Sequence, residues 1–127
     1  MDEEEPRYDT MEDGRGQRLD VTAKLGDEEV GWLVAVERRY AYDSVPTDRR
    51  YAEIREVEVE RPFRRRSIAS NMVFVALDWA RRNGYTHVSV EASAKPDTPG
   101  RALYEREGFV ARSVILDIGL SSSDPPA

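Results

Sequence analysis

Three consecutive arginines, Arg64-Arg65-Arg66, stand immediately before a segment of helical spacing that opens at Ser67. The first-turn N–H groups of a helix have no partner inside it, and the dipole there is positive, so such a place suits an anion. Guanidinium groups add charge-assisted donors, and an anion with several oxygens, such as a pyrophosphate, matches that set. Just upstream, Glu56, Glu58 and Glu60 share one face of a stretch with strand spacing. Carboxylates along a strand face are candidate general bases. The chemistry offered first is therefore an anion seat next to a proton acceptor.

The elements that must position these groups follow from periodicity. Tyr51 to Glu60 reads as a strand, with Ile54, Val57 and Val59 among Glu56, Glu58 and Glu60, close to a period of two. Arg61-Pro62-Phe63 breaks the pattern. From Ser67 the apolar residues fall at helical spacing: Ile68, Met72, Val75, Ala76, Trp79 and Ala80. Ser67 is a candidate N-cap and Gly84 a natural stop. The apolar arc covers about half the wheel, so this helix should dock firmly on a sheet. Phe74 falls on its polar side, while Trp32 and Trp79 read as core.

The remaining segments supply the sheet. Met1 to Gln17 is charged and without periodicity, and reads as a disordered acidic tail. Arg18–Leu25 alternates cleanly and, after a Gly26–Glu29 turn, Val30–Val36 makes a second strand, so the two form a hairpin. Glu37 to Arg50 is a polar connection with Tyr40, Tyr42 and Pro46. Thr86–Ser93 reads as a strand, Pro99–Glu107 as a short helix capped by Asp97 or Thr98 and ended by Gly108, and Phe109–Ile118 as a last strand. The end from Leu120 should fray. One domain over residues 18–119 is predicted, an α/β (α+β) fold with a mixed, mostly antiparallel sheet of about five strands.

Composition narrows the classes of function. At 127 residues the chain suits a single core. There is no cysteine, and the one histidine, His87, rules out a multi-histidine metal site within one chain. The net charge of −6 argues against general nucleic-acid affinity, although the cations are nearly all arginine. Without a membrane-length apolar run, the chain reads as soluble and cytoplasmic.

Three stretches resemble the GNAT superfamily of acyl-CoA-dependent N-acyltransferases. The hairpin ending GDEEVGWLVAV resembles the family's second and third strands. Arg64-Arg65-Arg66-Ser67-Ile68-Ala69 is similar to its phosphate-loop signature Arg/Gln-x-x-Gly-x-Gly/Ala, with Ser67 in place of the first glycine. DTPGRALYEREGF resembles the late Asn-x-x-Ala-x-x-Leu-Tyr-x-x-x-Gly-Phe, with Asp97 and Gly100 at the Asn and Ala positions. The family usually begins with a strand and two helices, and here only a short charged tail stands in their place.

The resemblance implies acetyl-CoA as co-substrate, no metal, and direct attack by a primary amine. The pyrophosphate would lie on the N–H groups from about Arg65 to Ser70, through Ser67, Ile68 and Ala69, beside the Arg64–Arg66 side chains. Backbone near Val57 and Val59 would polarise the thioester carbonyl. Tyr104 would protonate the leaving thiolate, and Asp97 and Arg101 join the cofactor-binding set. Glu53 resembles a base position of the histone-acetylating branch, while Glu56 and Glu58 lie nearer the expected acyl position. The acceptor is a small molecule or a protein amine, and a homodimer is compatible with the exposed sheet. The alternative is a degenerate module of the same fold that binds CoA or a partner without turnover. Binding of nucleic acid through Arg61 and Arg64 to Arg66 ranks last.

Overall fold

The computed structural model describes residues 5–39, 50–91, 99–111 and 118–120. The chain groups into two compact units, Met1–Ala92 and Ser93–Ala127. The first unit holds strands β1 (Arg7–Glu12), β2 (Arg18–Leu25), β3 (Glu28–Arg39), β4 (Arg50–Val59) and β5 (Val88–Val90), with helix α1 (Ile68–Arg82) between β4 and β5. The second holds helix α2 (Pro99–Arg106).

The five strands lie in sequence order in one sheet. β1 to β4 form an antiparallel meander, and β5 joins β4 in parallel after the α1 crossover. Antiparallel neighbours need only short turns, whereas the parallel pair requires the crossover that α1 provides. The mixed α/β architecture predicted above is the one observed.

One sheet face carries the core. Leu19, Val21 and Ala23 of β2, Leu33 and Ala35 of β3, and Ala52 and Ile54 of β4 pack under Ile68, Met72, Val73, Ala76, Trp79 and Ala80 of α1, all buried. The helical arc read from the sequence is the face that docks, and Phe74 on its far side is 63% exposed. Gly31 lets the backbones close up, because a Cβ there would stand 2.8 Å from the Glu58 carbonyl oxygen.

Several expectations are corrected. The front of the chain is not all tail: β1 pairs with β2 from Arg7↔Lys24 to Glu12↔Leu19. A strand therefore does precede the hairpin, and only residues 13–17 connect it to β2. Periodicity missed β1 because charge and side-chain hydrogen bonds hold it. Asp9 lies 3.1 Å from Arg7 and 3.3 Å from Lys24, and Tyr8 accepts a hydrogen bond from Asn71 on α1 at 2.9 Å.

The hairpin turn is shorter than read, since β3 resumes at Glu28, and Gly26 takes φ 61° within it. Of the strand read over Thr86–Ser93, β5 takes Val88–Val90, Thr86, His87 and Glu91 lie outside it, and residues 92–93 lie outside the described residues. Residues 109–111 form no strand, and 112–117 lie outside the described residues. So do Tyr40, Tyr42, Pro46, Asp97, Thr98 and the segment after Leu120.

Both helices stop by the same device. Gly84 (φ 79°) donates to the Arg81 carbonyl while Tyr85 donates to that of Ala80; Gly108 (φ 98°) donates to Glu105 while Phe109 donates to Tyr104. This is the Schellman arrangement, which needs a residue at positive φ and sets an apolar side chain back against the last turn. Tyr85 accordingly lies 5.5 Å from Trp79 and Phe109 lies 5.7 Å from Tyr104, ring to ring.

Candidate functional site

β4 changes phase halfway along. Ala35 pairs with Ile54 and Val34 with Glu56, which leaves Arg55 as an extra residue. A bulge inserts one residue and resets which side chains face each side. Before it Ala52 and Ile54 face α1; after it Val59 does, with Val57 half-buried. Glu53, Glu56 and Glu58 consequently all occupy the face away from α1. The broken alternation of the sequence is this bulge.

The bulge also turns the backbone. Ala52 N–H donates to the His87 carbonyl on the β5 side, whereas Glu60 N–H donates to Val30 on the β3 side. Since alternate strand residues aim their N–H the same way, Glu58 shares the direction of Glu60. Val57 and Val59 aim at the β5 side. Among the described residues the last rung with β5 is Ile54↔Val90, and these two residues lie past it. The Val59 carbonyl on that side accepts a hydrogen bond from Arg64 Nε at 2.9 Å.

The loop from β4 to α1 is a 3₁₀ turn, Arg61–Phe63, followed by Arg64 to Ser67. Pro62 stiffens the turn, and Phe63 N–H donates to Glu60 at 2.9 Å. Two non-glycine residues take positive φ here, Arg65 at 66° and Ser67 at 64°. Such left-handed conformations cost about 1 kcal/mol or more outside glycine. Ser67 occupies the N-cap position but forms no side-chain cap bond, contrary to the capping role expected of it. The ladder of α1 starts with Asn71 N–H on the Ser67 carbonyl at 2.9 Å, so the amides of Ile68 and Ala69 precede its first rung.

The guanidinium groups surround this start unequally. Arg64 is fixed by the Val59 carbonyl and lies 3.9 Å from Glu58. Arg66 stacks on Phe63, 5.7 Å from the ring centroid. Arg61 and Arg65 have no acidic partner among the described residues and are exposed. Positive φ at Arg65 and Ser67 and fixation of Arg64 give the loop a defined shape. First-turn amides and at least three guanidinium groups then sit within one short segment, beside the end of β4.

The predicted site residues divide into groups. Glu56 and Glu58 stand exposed on the outer face between the bulge and the loop. Glu53 lies on the same face but is held by Arg38 at 3.2 Å and Arg55 at 3.9 Å. Val57, Val59, the arginines, Ser67, Ile68, Ala69 and Ser70 belong to one continuous strand–loop–helix. Tyr104 and Arg101 belong to the second unit, where Arg101 pairs with Glu105 at 2.6 Å and Tyr104 stacks edge-on with Phe109. Asp97 lies outside the described residues. Trp32, read as core, is 41% exposed on the outer face opposite Glu58. In sequence it alternates with Val30, Val34 and Val36, an apolar set, so no local signal marks it as outward.

Comparison with known proteins agrees with this architecture. The sequence model of the Acetyltransferase (GNAT) family matches residues 1–109. No curated protein matches the chain in sequence. Among solved structures, a putative acetyl transferase from Pyrococcus furiosus is 24% identical, with a TM-score of 0.70 over 83% of this chain and 67% of its own. An aminoglycoside acetyltransferase from an uncultured soil metagenomic sample is 26% identical, with a TM-score of 0.66 over 83% and 67%. An aminoglycoside N-acetyltransferase in complex with CoA shares 14% identity and a TM-score of 0.70 over 83% and 77%. With its phosphate-loop and Leu-Tyr-x-x-x-Gly-Phe motifs on such a fold, and a family match over most of its length, the chain belongs to the GNAT acetyltransferase family.

Proposed function

We propose that the protein is an N-acetyltransferase that passes acetyl from acetyl-CoA to a primary amine by direct attack within a ternary complex. The observation that carries this reading is the strand–loop–helix at 57–70. There, first-turn amides and arginines adjoin the part of β4 that lies past its last rung with β5 among the described residues. The CoA complex of a structural neighbour supports the choice of ligand.

In this reading the pyrophosphate lies against the amides from Arg65 to Ser70, with Arg65 and Arg66 supplying side-chain donors. Arg64 also braces the loop through Val59. The N–H of Val57 or Val59 polarises the thioester carbonyl, which stabilises the oxyanion as the amine adds. Glu58 or Glu56 takes a proton from the acceptor ammonium, which frees the amine lone pair to attack the thioester carbon. Glu53 is the weaker candidate, because two arginines already hold it. Tyr104 donates the proton to the departing thiolate; that role, like those of Asp97 and Arg101, rests on the family motif. The enzyme works in the cytoplasm, where acetyl-CoA is available, and no helix among the described residues is long and apolar enough to cross a membrane.

Calorimetry with acetyl-CoA is the direct test. Saturable binding is expected, and turnover on an amine panel should fall on Tyr104→Phe and on Glu58→Gln. Absence of binding at millimolar acetyl-CoA would overturn the reading. Tight binding without turnover on any amine would instead support a CoA-binding module.

A further inference from the structure

We propose that Trp32 is a recognition residue for the acceptor, and that with Glu56 and Glu58 it selects amines carrying a second positive charge. The inference rests on the reading of the β4 carboxylates as the acceptor side of an N-acetyltransferase.

The argument starts from the register. Trp32 pairs directly with Glu58, and Val34 with Glu56, on the face away from α1. Opposed residues of an antiparallel pair hold their Cβ atoms about 5 Å apart. The indole therefore stands beside two carboxylates, and it is 41% exposed although it is one of the largest apolar side chains available for the core. Trp79, the other tryptophan, is fully buried.

Charge accounting on this face singles out the same place. Asp9 is matched by Arg7 and Lys24, Asp20 by Arg18, and Glu53 by Arg38 and Arg55. Glu58 reaches only Arg64, at 3.9 Å, and Glu56 has no ion pair among the described residues. Of these outer-face acids, the two least compensated are therefore those flanking the indole. An aromatic face beside carboxylates attracts an ammonium both by its quadrupole and by the neighbouring charge.

The spacing specifies the occupant. Residues two apart on a strand present their side chains about 7 Å from each other. One carboxylate can meet the reacting amine while the other, with the indole, meets a second ammonium a short alkyl chain away. A small aliphatic diamine fits this arrangement, and a monoamine of equal length leaves half of it unused.

The test compares putrescine with n-butylamine on the full chain. Quenching of Trp32 fluorescence follows binding without any need for turnover. Putrescine should bind at least about tenfold more tightly than butylamine and lose that advantage as salt rises. In acetylation assays Trp32→Ala should cost putrescine about tenfold in kcat/KM, mostly through KM, whereas Trp32→Phe retains most of the preference. Glu56→Gln should flatten the diamine-to-monoamine ratio. Equal binding of the two amines, an unchanged ratio in Trp32→Ala, or a lysine-rich peptide preferred over putrescine would overturn the inference. If acetyl-CoA itself does not bind, the N-acetyltransferase reading fails instead, and the amine titration shows separately whether the charge preference survives.

Discussion

Ser67 stands where the family's loop carries glycine, and its backbone takes the conformation a glycine would take, φ 64°. The serine thus keeps the loop geometry at an energetic cost instead of abolishing it. Ser67→Gly should raise stability by about 0.5–1 kcal/mol, the left-handed strain relieved less the extra chain entropy of glycine, as read by urea denaturation. Acetyl-CoA affinity should be retained in that variant. The arginines act differently, through charge. Arg64→Ala combined with Arg66→Ala should weaken acetyl-CoA several-fold by calorimetry. Arg64→Ala should also loosen the loop, since it removes the bond to the Val59 carbonyl.

At the scale of elements, the turn between β1 and β2 is tied to the end of α1. Tyr85 is buried and its hydroxyl donates to the Gly16 carbonyl; Arg50 stacks on its ring at 4.2 Å and donates to the Asn83 carbonyl at 3.1 Å. A Cβ at Gly16 would stand 2.3 Å from Asn83 Oδ1, and Asn83 is itself held by the Trp79 carbonyl. Gly16→Ala should therefore cost about 1–2 kcal/mol by thermal or urea unfolding, from the clash and from φ 71° together.

The same cluster sets a pH dependence. Burial, followed by the Glu37 carboxylate at 3.3 Å, pushes the Tyr85 phenol from 10.0 up to about 12. The fold favours the neutral phenol, so its contribution is complete below pH 10.0 and is lost as pH rises through about 12. Melting temperatures measured between neutral pH and about pH 11 should fall more steeply for the wild type than for Tyr85→Phe.

Much of this was legible before any coordinates. α1 announced itself through a wide apolar stripe ended by Gly84, and β2 through strict alternation of Leu19, Val21 and Ala23. What escaped has physical reasons. β1 earns its place through ladder bonds and ion pairs, which leave no hydrophobic rhythm. The bulge at Arg55 appears in sequence only as a stumble between Ile54 and Val57. Trp32 shares its alternation with Val30, Val34 and Val36, so nothing local marks it as outward. The grouping of Glu56, Glu58 and the loop arginines followed from one strand running into one helix. Tyr104 belongs to the second unit, and its role was suggested only by motif.

For the whole molecule, the net charge of −6 opposes an anionic ligand, while the loop arginines attract it locally. Acetyl-CoA affinity should decline as ionic strength rises, because screening weakens the exposed guanidinium groups near the ligand. A flat salt response by calorimetry would mean that the backbone amides dominate the seat. The five residues from Asp13 to Gln17 carry a further consequence. Anyone hoping to graft a longer lid between β1 and β2 will find the splice point stapled at Gly16 by Tyr85. New sequence inserted next to Gly14, whose surroundings are open, spares that staple, whereas an insertion that displaces Gly16 loosens the frame.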